Sequence, residues 1–226
     1  MNLLRAIFFA LLIAMLGATA ASAAKKSAKP KEAPAQETSR DNVKDTPKAF
    51  ELACAGPFAR DTTHAKLVAE FGAANVTFRN VDVASDVKTQ ASVIFDGDLT
   101  KRVVVTWKDN KTRARPKSIT VSSPSTWTGP GGVHNGLSLK DMVKLNGAEF
   151  QVKGFGSIGG GGISGLQGPF INIPGDCTLQ IAFEPGIANP LPPRFASVTG
   201  DQLIASKNLV LRRVRPQVAQ WSLTYP

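Results

Sequence analysis

The chain has 226 residues, of which 42% are hydrophobic and 19% charged, and it carries a formal net charge of +10. This apolar content excludes a wholly disordered protein, and the length allows one large domain or two small ones sharing a core. Only two cysteines and two histidines are present, which excludes a disulfide-dense scaffold and leaves zinc or general acid-base chemistry short of its usual parts.

Residues 1–23 have the layout of a secretory signal peptide: Arg5, an apolar run from Ala6 to Leu16, and small residues ending in Ala21-Ser22-Ala23. The run is shorter than the roughly 20 residues that cross a bilayer, and no second run occurs downstream, so no membrane span is expected. The mature chain is read as a soluble periplasmic protein. Residues 24–48 are rich in Lys, Ala, Pro and Glu and lack aromatic residues, which predicts a disordered basic linker unable to offset its ordering entropy. Its charge either holds it near an anionic surface or belongs to an inert spacer. Outside the cytoplasm the abundant polyanions are lipopolysaccharide, anionic headgroups and wall polymers. A basic surface there points to envelope contact, with no nucleic acid partner expected.

Cys54 and Cys177 allow one intramolecular pairing, and an oxidising compartment favours it over two buried thiols. Closing so long a loop contributes about 4 to 5 kcal/mol in the chain-entropy picture. A redox-active pair is not indicated, because no C-x-x-C spacing occurs.

Residues 49–226 read as an α+β domain built from two helix-plus-antiparallel-sheet modules, 49–125 and 126–226. The first helix is capped at Asp61-Thr62-Thr63, carries Leu67, Val68 and Phe71 on one stripe, and stops at Gly72. Strands are expected next at Thr77–Val83, Ala91–Phe95, Arg102–Trp107 and Ser118–Ser122, separated by Asp-Gly and Asp-Asn turns. The pattern then restarts. Ser138 caps a second helix, Leu139, Met142 and Val143 form its stripe, and Gly147 stops it, so that Thr63 falls on Ser138, Leu67 on Met142 and Gly72 on Gly147. Beyond it lie a strand at Phe150–Val152, a Gly-rich stretch from Gly154 to Gly168, strands at Phe170–Ile173 and Leu179–Phe183, and an irregular Pro-rich segment from Glu184 to Arg194. A helical turn at Asp201–Ser206 and a final strand at Val218–Leu223 close the chain.

The unit from Thr63 to Phe78, a capped helix followed by Phe-Gly and a strand, resembles the modules of the outer-membrane assembly lipoprotein E family. Its tandem use resembles the β-lactamase inhibitor protein architecture. The stretch Gly136–Gly156, with Leu145-Asn146-Gly147, Phe150 and Gly154-Phe155-Gly156, resembles an uncharacterised family of secreted bacterial proteins. In that family Trp, Asp and Tyr usually come next, where this chain has Ser157-Ile158-Gly159. What these resemblances imply is protein binding or an unknown function, which favours a non-enzymatic reading.

Motifs with catalytic associations are incomplete. Gly154-Phe-Gly-Ser-Ile-Gly159 matches G-x-G-x-x-G, but no helix-forming segment comes after it as a dinucleotide site requires, so no cofactor is expected; Gly156 belongs to a loop that is flexible, closely packed or closed over a partner. Ser85-Asp86-Val87-Lys88 has the S-x-x-K spacing of penicillin-binding enzymes without S-D-N or K-T-G. His64, in a helix's first turn, is expected to be exposed, and His134, in a Gly-rich loop, is the better functional candidate; no metal site is indicated. Asp96 and Asp98 read as turn residues.

Binding candidates are clearer. Lys101, Arg102, Lys108, Lys111, Arg113, Arg115 and Lys117 surround a hairpin with Trp107 between its arms, and Arg113 and Arg115 share one face if the segment is extended. The alternative is a solvated strand edge. Trp127 lies among small residues and either anchors a sugar or protein partner or plugs the end of the core. The function expected is a non-catalytic exported protein that binds an envelope protein or an anionic envelope polymer through Trp127, His134, Arg113, Arg115 and Gly156. The alternative is a small cell-wall polysaccharide or peptidoglycan hydrolase using scattered carboxylates.

Overall fold

The computed structural model describes residues 50–84, 87–186 and 192–226, so the leader, the linker and the Ser85-Asp86 half of the S-x-x-K motif lie outside the described residues. Helix α1 (His64–Phe71) forms where Thr63 accepts the Lys66 N–H on its side chain and the Gly72 N–H closes onto Val68, with Gly72 at φ +86°. Leu67 points into the core, and Val68 and Phe71 pack beside it. An antiparallel meander comes next: β1 (Val76–Ala84), β2 (Val87–Ile94), β3 (Val103–Asp109) and β4 (Ala114–Ser122).

Helix α2 (Leu139–Asn146) repeats the device. Ser138 caps the Asp141 N–H and Gly147 ends the helix in the left-handed conformation. The strands beyond α2 are divided differently from those beyond α1. Strands β5 (Gln151–Lys153), β6 (Ile163–Ser164) and β8 (Leu203–Ala205) make a small sheet of order β6-β5-β8. Strands β7 (Thr178–Glu184) and β9 (Gln217–Thr224) instead extend the meander, giving a six-stranded sheet of order β1-β2-β3-β4-β9-β7. The fold is therefore α+β with antiparallel sheets, and the parts opened by α1 and α2 share one hydrophobic core.

Two expected elements differ. Phe170–Ile173 is not a strand: Gly168–Phe170 forms a 3₁₀ turn that buries Phe170. Asp201–Ser206 is not a helical turn, because Ile204 pairs with Val152 and the Ser206 N–H donates to the Phe150 carbonyl. Partner strand pairing overrides local preference here. A short helix α3 (Leu209–Arg213), capped by Asn208, precedes β9 and carries no clear sequence signal.

Cys54 and Cys177 form a single disulfide with Cα atoms 6.3 Å apart. It fastens the segment before α1 to the entry of β7. Gly175 passes so close that an added Cβ would lie 2.1 Å from the Cys54 carbonyl oxygen. The C-terminus is tied to the same corner, where the Tyr225 hydroxyl donates to the Phe58 carbonyl. Among the described residues no helix is long and apolar enough to cross a membrane. Reducing the disulfide should lower the unfolding free energy in urea by about 4 kcal/mol, as expected for a loop of this length, and a Cys54→Ser/Cys177→Ser variant should match the reduced protein.

Candidate functional site

The five residues expected to bind a partner do not converge. Trp127 is 3% exposed; its indole N–H donates to the Lys101 carbonyl at 2.7 Å, and its ring packs 4.9 Å from Phe50 and 5.8 Å from Phe58. It plugs the core and has no face to offer a sugar or a protein. Arg113 and Arg115 are not on a regular extended segment, since both have left-handed φ, +51° and +57°. The Arg113 guanidinium lies 4.0 Å above the Phe78 ring. Arg115 instead lines a recess with Arg60, Asp61 and Gly175 beside the disulfide. The two guanidinium groups therefore have different neighbours. His134 is exposed, with its Nδ1 3.0 Å from the Asn135 carbonyl. Gly156 is exposed with open space where a side chain would stand.

The Gly-rich stretch around Gly156 is laced to the sheet. The Gly161 N–H donates to Lys153, the Phe183 N–H to Gly161, and the Lys153 N–H to Gly162. At Gly161, φ is +79° and a Cβ would lie 1.9 Å from the Phe183 carbonyl oxygen, so only glycine fits. The stretch is closely packed at Gly154 and Gly161, whereas Gly156 and Gly159 stand open.

A serine-histidine contact that the sequence does not reveal lies under α1. His64 Nδ1 is 2.8 Å from Ser92 Oγ, and the Trp107 indole N–H donates to the same oxygen at 3.0 Å. A nucleophile and its base meet in this way. The surroundings argue for a structural role. Ser92 is 0% exposed, so a substrate has no path to its oxygen. Burial, and then the Arg113 charge, lower the His64 pKa. His64 is half-buried, against the exposure expected of a first helical turn.

Carboxylates show a consistent electrostatic pattern. Asp96 is gripped by Arg79 through Nε at 2.6 Å and Nη2 at 2.7 Å, and these bonds hold its carboxyl below the usual range. Hydrogen bonding from Thr100 lowers Asp98, from Lys66 lowers Asp61, and from Thr112 lowers Asp109. Glycoside cleavage needs one carboxyl raised so that it holds a proton. Among the described residues each carboxyl whose pKa moves is moved the other way.

The surface with the most regular construction is the sheet face turned away from α1 and α2. Side chains alternate along each strand, so Val105, Ile119, Leu223 and Leu179 enter the core while their neighbours face outward. Register aligns those neighbours across strands. One row runs Val93, Val104, Thr120, Ser222, Gln180, and the next runs Ala91, Thr106, Ser118, Thr224, Thr178, with Val93, Ala91, Thr106 and Ser222 buried within them. Within the second row Thr106 and Ser118 hydroxyls are 2.7 Å apart and those of Thr178 and Thr224 2.6 Å apart. Two shallow recesses of about 270 Å³ each indent this face. Its charges stand at the margins: Arg79 and Arg102 meet Asp96, Asp82 lines both recesses, and Lys108, two residues beyond Thr106, donates to the Pro226 carbonyl. Sequence reasoning missed the site because its rows are set by the pairing of β4 with β9, strands that lie far apart in the chain.

Comparison with protein-family models, curated proteins and solved structures finds no match.

The packing of His64 and of the glycines is open to direct test. The fold favours the neutral imidazole, so its stabilising contribution is complete above the ordinary pKa of 6.5 and is lost as pH falls from there toward the lowered folded-state value. Urea unfolding from pH 7.5 to 5 should show this loss, and His64→Gln should remove it; a folded-state His64 titration by NMR at or above 6.5 would contradict the assignment. Gly161→Ala should destabilise the protein by about 3 kcal/mol through strain and a backbone clash, and Gly156→Ala by only about 1 kcal/mol for its left-handed φ. Equal losses would remove the distinction between the packed and the open glycine.

Proposed function

We propose that this protein is a non-catalytic binding protein of the bacterial periplasm, exported by its leader, and that it holds an envelope protein against the outward sheet face. One observation carries the reading: the central rows of this face contain hydroxyl, amide and small apolar side chains and no charge. A sheet face that merely meets water is kept soluble by Lys and Glu. Short Ser and Thr side chains instead lose little rotamer entropy on contact and adapt their hydrogen bonds to the partner. The neutrality of the rows favours a protein over an anionic polymer, which would seek clustered Arg and Lys. The single disulfide fits an oxidising compartment. The buried Ser92 and the lowered carboxyls support a role without bond cleavage.

A photocrosslinking residue placed in cells at Thr120 or Gln180 should capture one discrete envelope protein, and the same residue at Lys144 on α2 should not. Thr120→Arg should weaken binding of that partner by at least tenfold while leaving the unfolding midpoint unchanged. Equal capture from Lys144, or turnover of peptidoglycan that disappears on changing one Asp or Glu, would overturn the proposal.

A further inference from the structure

A second surface, sharing no residue with the outward sheet face, is a groove of about 580 Å³ where the first turn of α2 meets the end of α3 and the start of β9. Its position is set by local bonds. The Leu139 N–H donates to the Pro216 carbonyl at 3.1 Å and Ser138 bridges to Gln217, which pins α2 to the entry of β9. Arg215 adopts a left-handed φ of +51° that turns the chain out of α3. Gly186 supports the turn: its N–H donates to Val214 at 3.1 Å, and a Cβ there would lie 2.1 Å from the Arg215 carbonyl oxygen.

The lining has two chemistries. Leu139, Val143 and Pro216 supply apolar surface, and Lys140, Arg212 and Arg215 supply positive charge. Arg212 is held in place, with its Nε donating to the Ser206 carbonyl at 3.3 Å and its Nη2 3.6 Å from Glu149. The Glu149 carboxylate also accepts the Ser206 hydroxyl. Lys140 and Arg215 make no ion pair among the described residues. The groove therefore presents more cation than its own carboxylate offsets, beside an apolar wall, in the size range of about 300 to 1,000 Å³ typical of small-molecule sites.

We infer that the groove binds a single-chain anionic amphiphile. A carboxylate or phosphate head meets Arg215 and Lys140, and the chain lies over Leu139, Val143 and Pro216. A bare anion would leave the apolar wall wet, and a neutral lipid would leave both cations unanswered. An envelope supplies such molecules either free, as fatty acids, or within membranes, as anionic lysophospholipids.

Titration of the full exported chain with dodecanoate and dodecyl phosphate, both below micelle formation, should give one-to-one binding. Dodecyl maltoside, with the same chain and no charge, and acetate or inorganic phosphate, with charge and no chain, should bind at least tenfold more weakly. Arg215→Glu and Lys140→Glu should each weaken the anionic amphiphiles by at least tenfold, while Lys144→Glu, outside the groove, should not. Lys140 lies on an exposed helix face, so its variant keeps the test valid if Arg215→Glu disturbs the turn. Uptake from phosphatidylcholine vesicles carrying lysophosphatidylglycerol as well as from solution assigns a membrane source, and uptake from solution alone assigns a free one. Equal affinity for the maltoside, no binding of either anionic amphiphile, adsorption to vesicles alone, or indifference to both charge reversals overturns the inference.

Discussion

The insertion of the last strand between β4 and β7 is the constraint on which the rest of the structure depends. Through β9, Trp221 sits between Val121 and Ile181, and Leu223 sits between Ile119 and Leu179. Trp221 is 1% exposed. Its ring occupies the space above Gly129, where a Cβ would come within 2.6 Å of it. Losing so large a buried ring costs about 3 to 5 kcal/mol in typical cores. The meander from β1 to β4 and the strand β7 share a sheet only because β9 satisfies the backbone groups of both. The corner where β9 ends is fastened twice, by the disulfide and by the Tyr225 hydroxyl on Phe58. Burial pushes the Tyr225 phenol up to about 12.

That same register decides what the opposite face displays. Side chains in a strand repeat every two residues, so a one-residue slip of β9 would carry Trp221 and Leu223 to the surface and Ser222 into the core. The core therefore locks the outward rows in place. Where the alternation would fail, the sheet shifts register. Thr106 pairs with Ser118 but Trp107 with Pro116, which steps over Lys117, so that Pro116 turns inward opposite Trp107 and the lysine stays exposed. A similar shift steps over Ala219 and sets Val218 inward opposite Phe183, whose backbone meets Gly161. The packed glycine loop is thus part of the sheet's edge and limits access to the backbone of β7.

Legibility in the sequence depends on the range of the interactions. The two helices are readable because Thr63 and Gly72, or Ser138 and Gly147, act within one turn of the residues they cap. The longer strands are readable from alternation, and the cysteine pairing from its being the sole possibility. Strands β6 and β8 are too short for a period to register, and β8 exists because β5 pairs with it. Trp127 reads as either an anchor or a plug of the core, and Phe50 and Phe58, distant in sequence, cover it and decide for the plug. Arg113 and Arg115 read as one patch, and their left-handed backbones give them different neighbours. The Ser92 contact with His64, the hydroxyl rows and the cationic groove are all products of long-range pairing, and no local motif announces them.

The two surfaces are physically adjacent without being shared. Strand β9 starts at Gln217 in the groove and continues through Gln220, Ser222 and Thr224 on the outward face. Its middle is held rigidly: the Ala219 carbonyl accepts both the Ser123 N–H and the Asn135 side-chain amide, and the Gly136 N–H donates to Val218. A strand so clamped transmits little displacement from one end to the other, because both neighbours and two loops would have to move with it. A ligand bound in the groove as proposed would therefore act on the proposed sheet-face partner chiefly through charge, by neutralising Lys140 and Arg215. Charge effects of this kind decay over about 10 Å at moderate ionic strength. For the two proposed sites this architecture favours independent occupancy of one frame over a switch between two conformations.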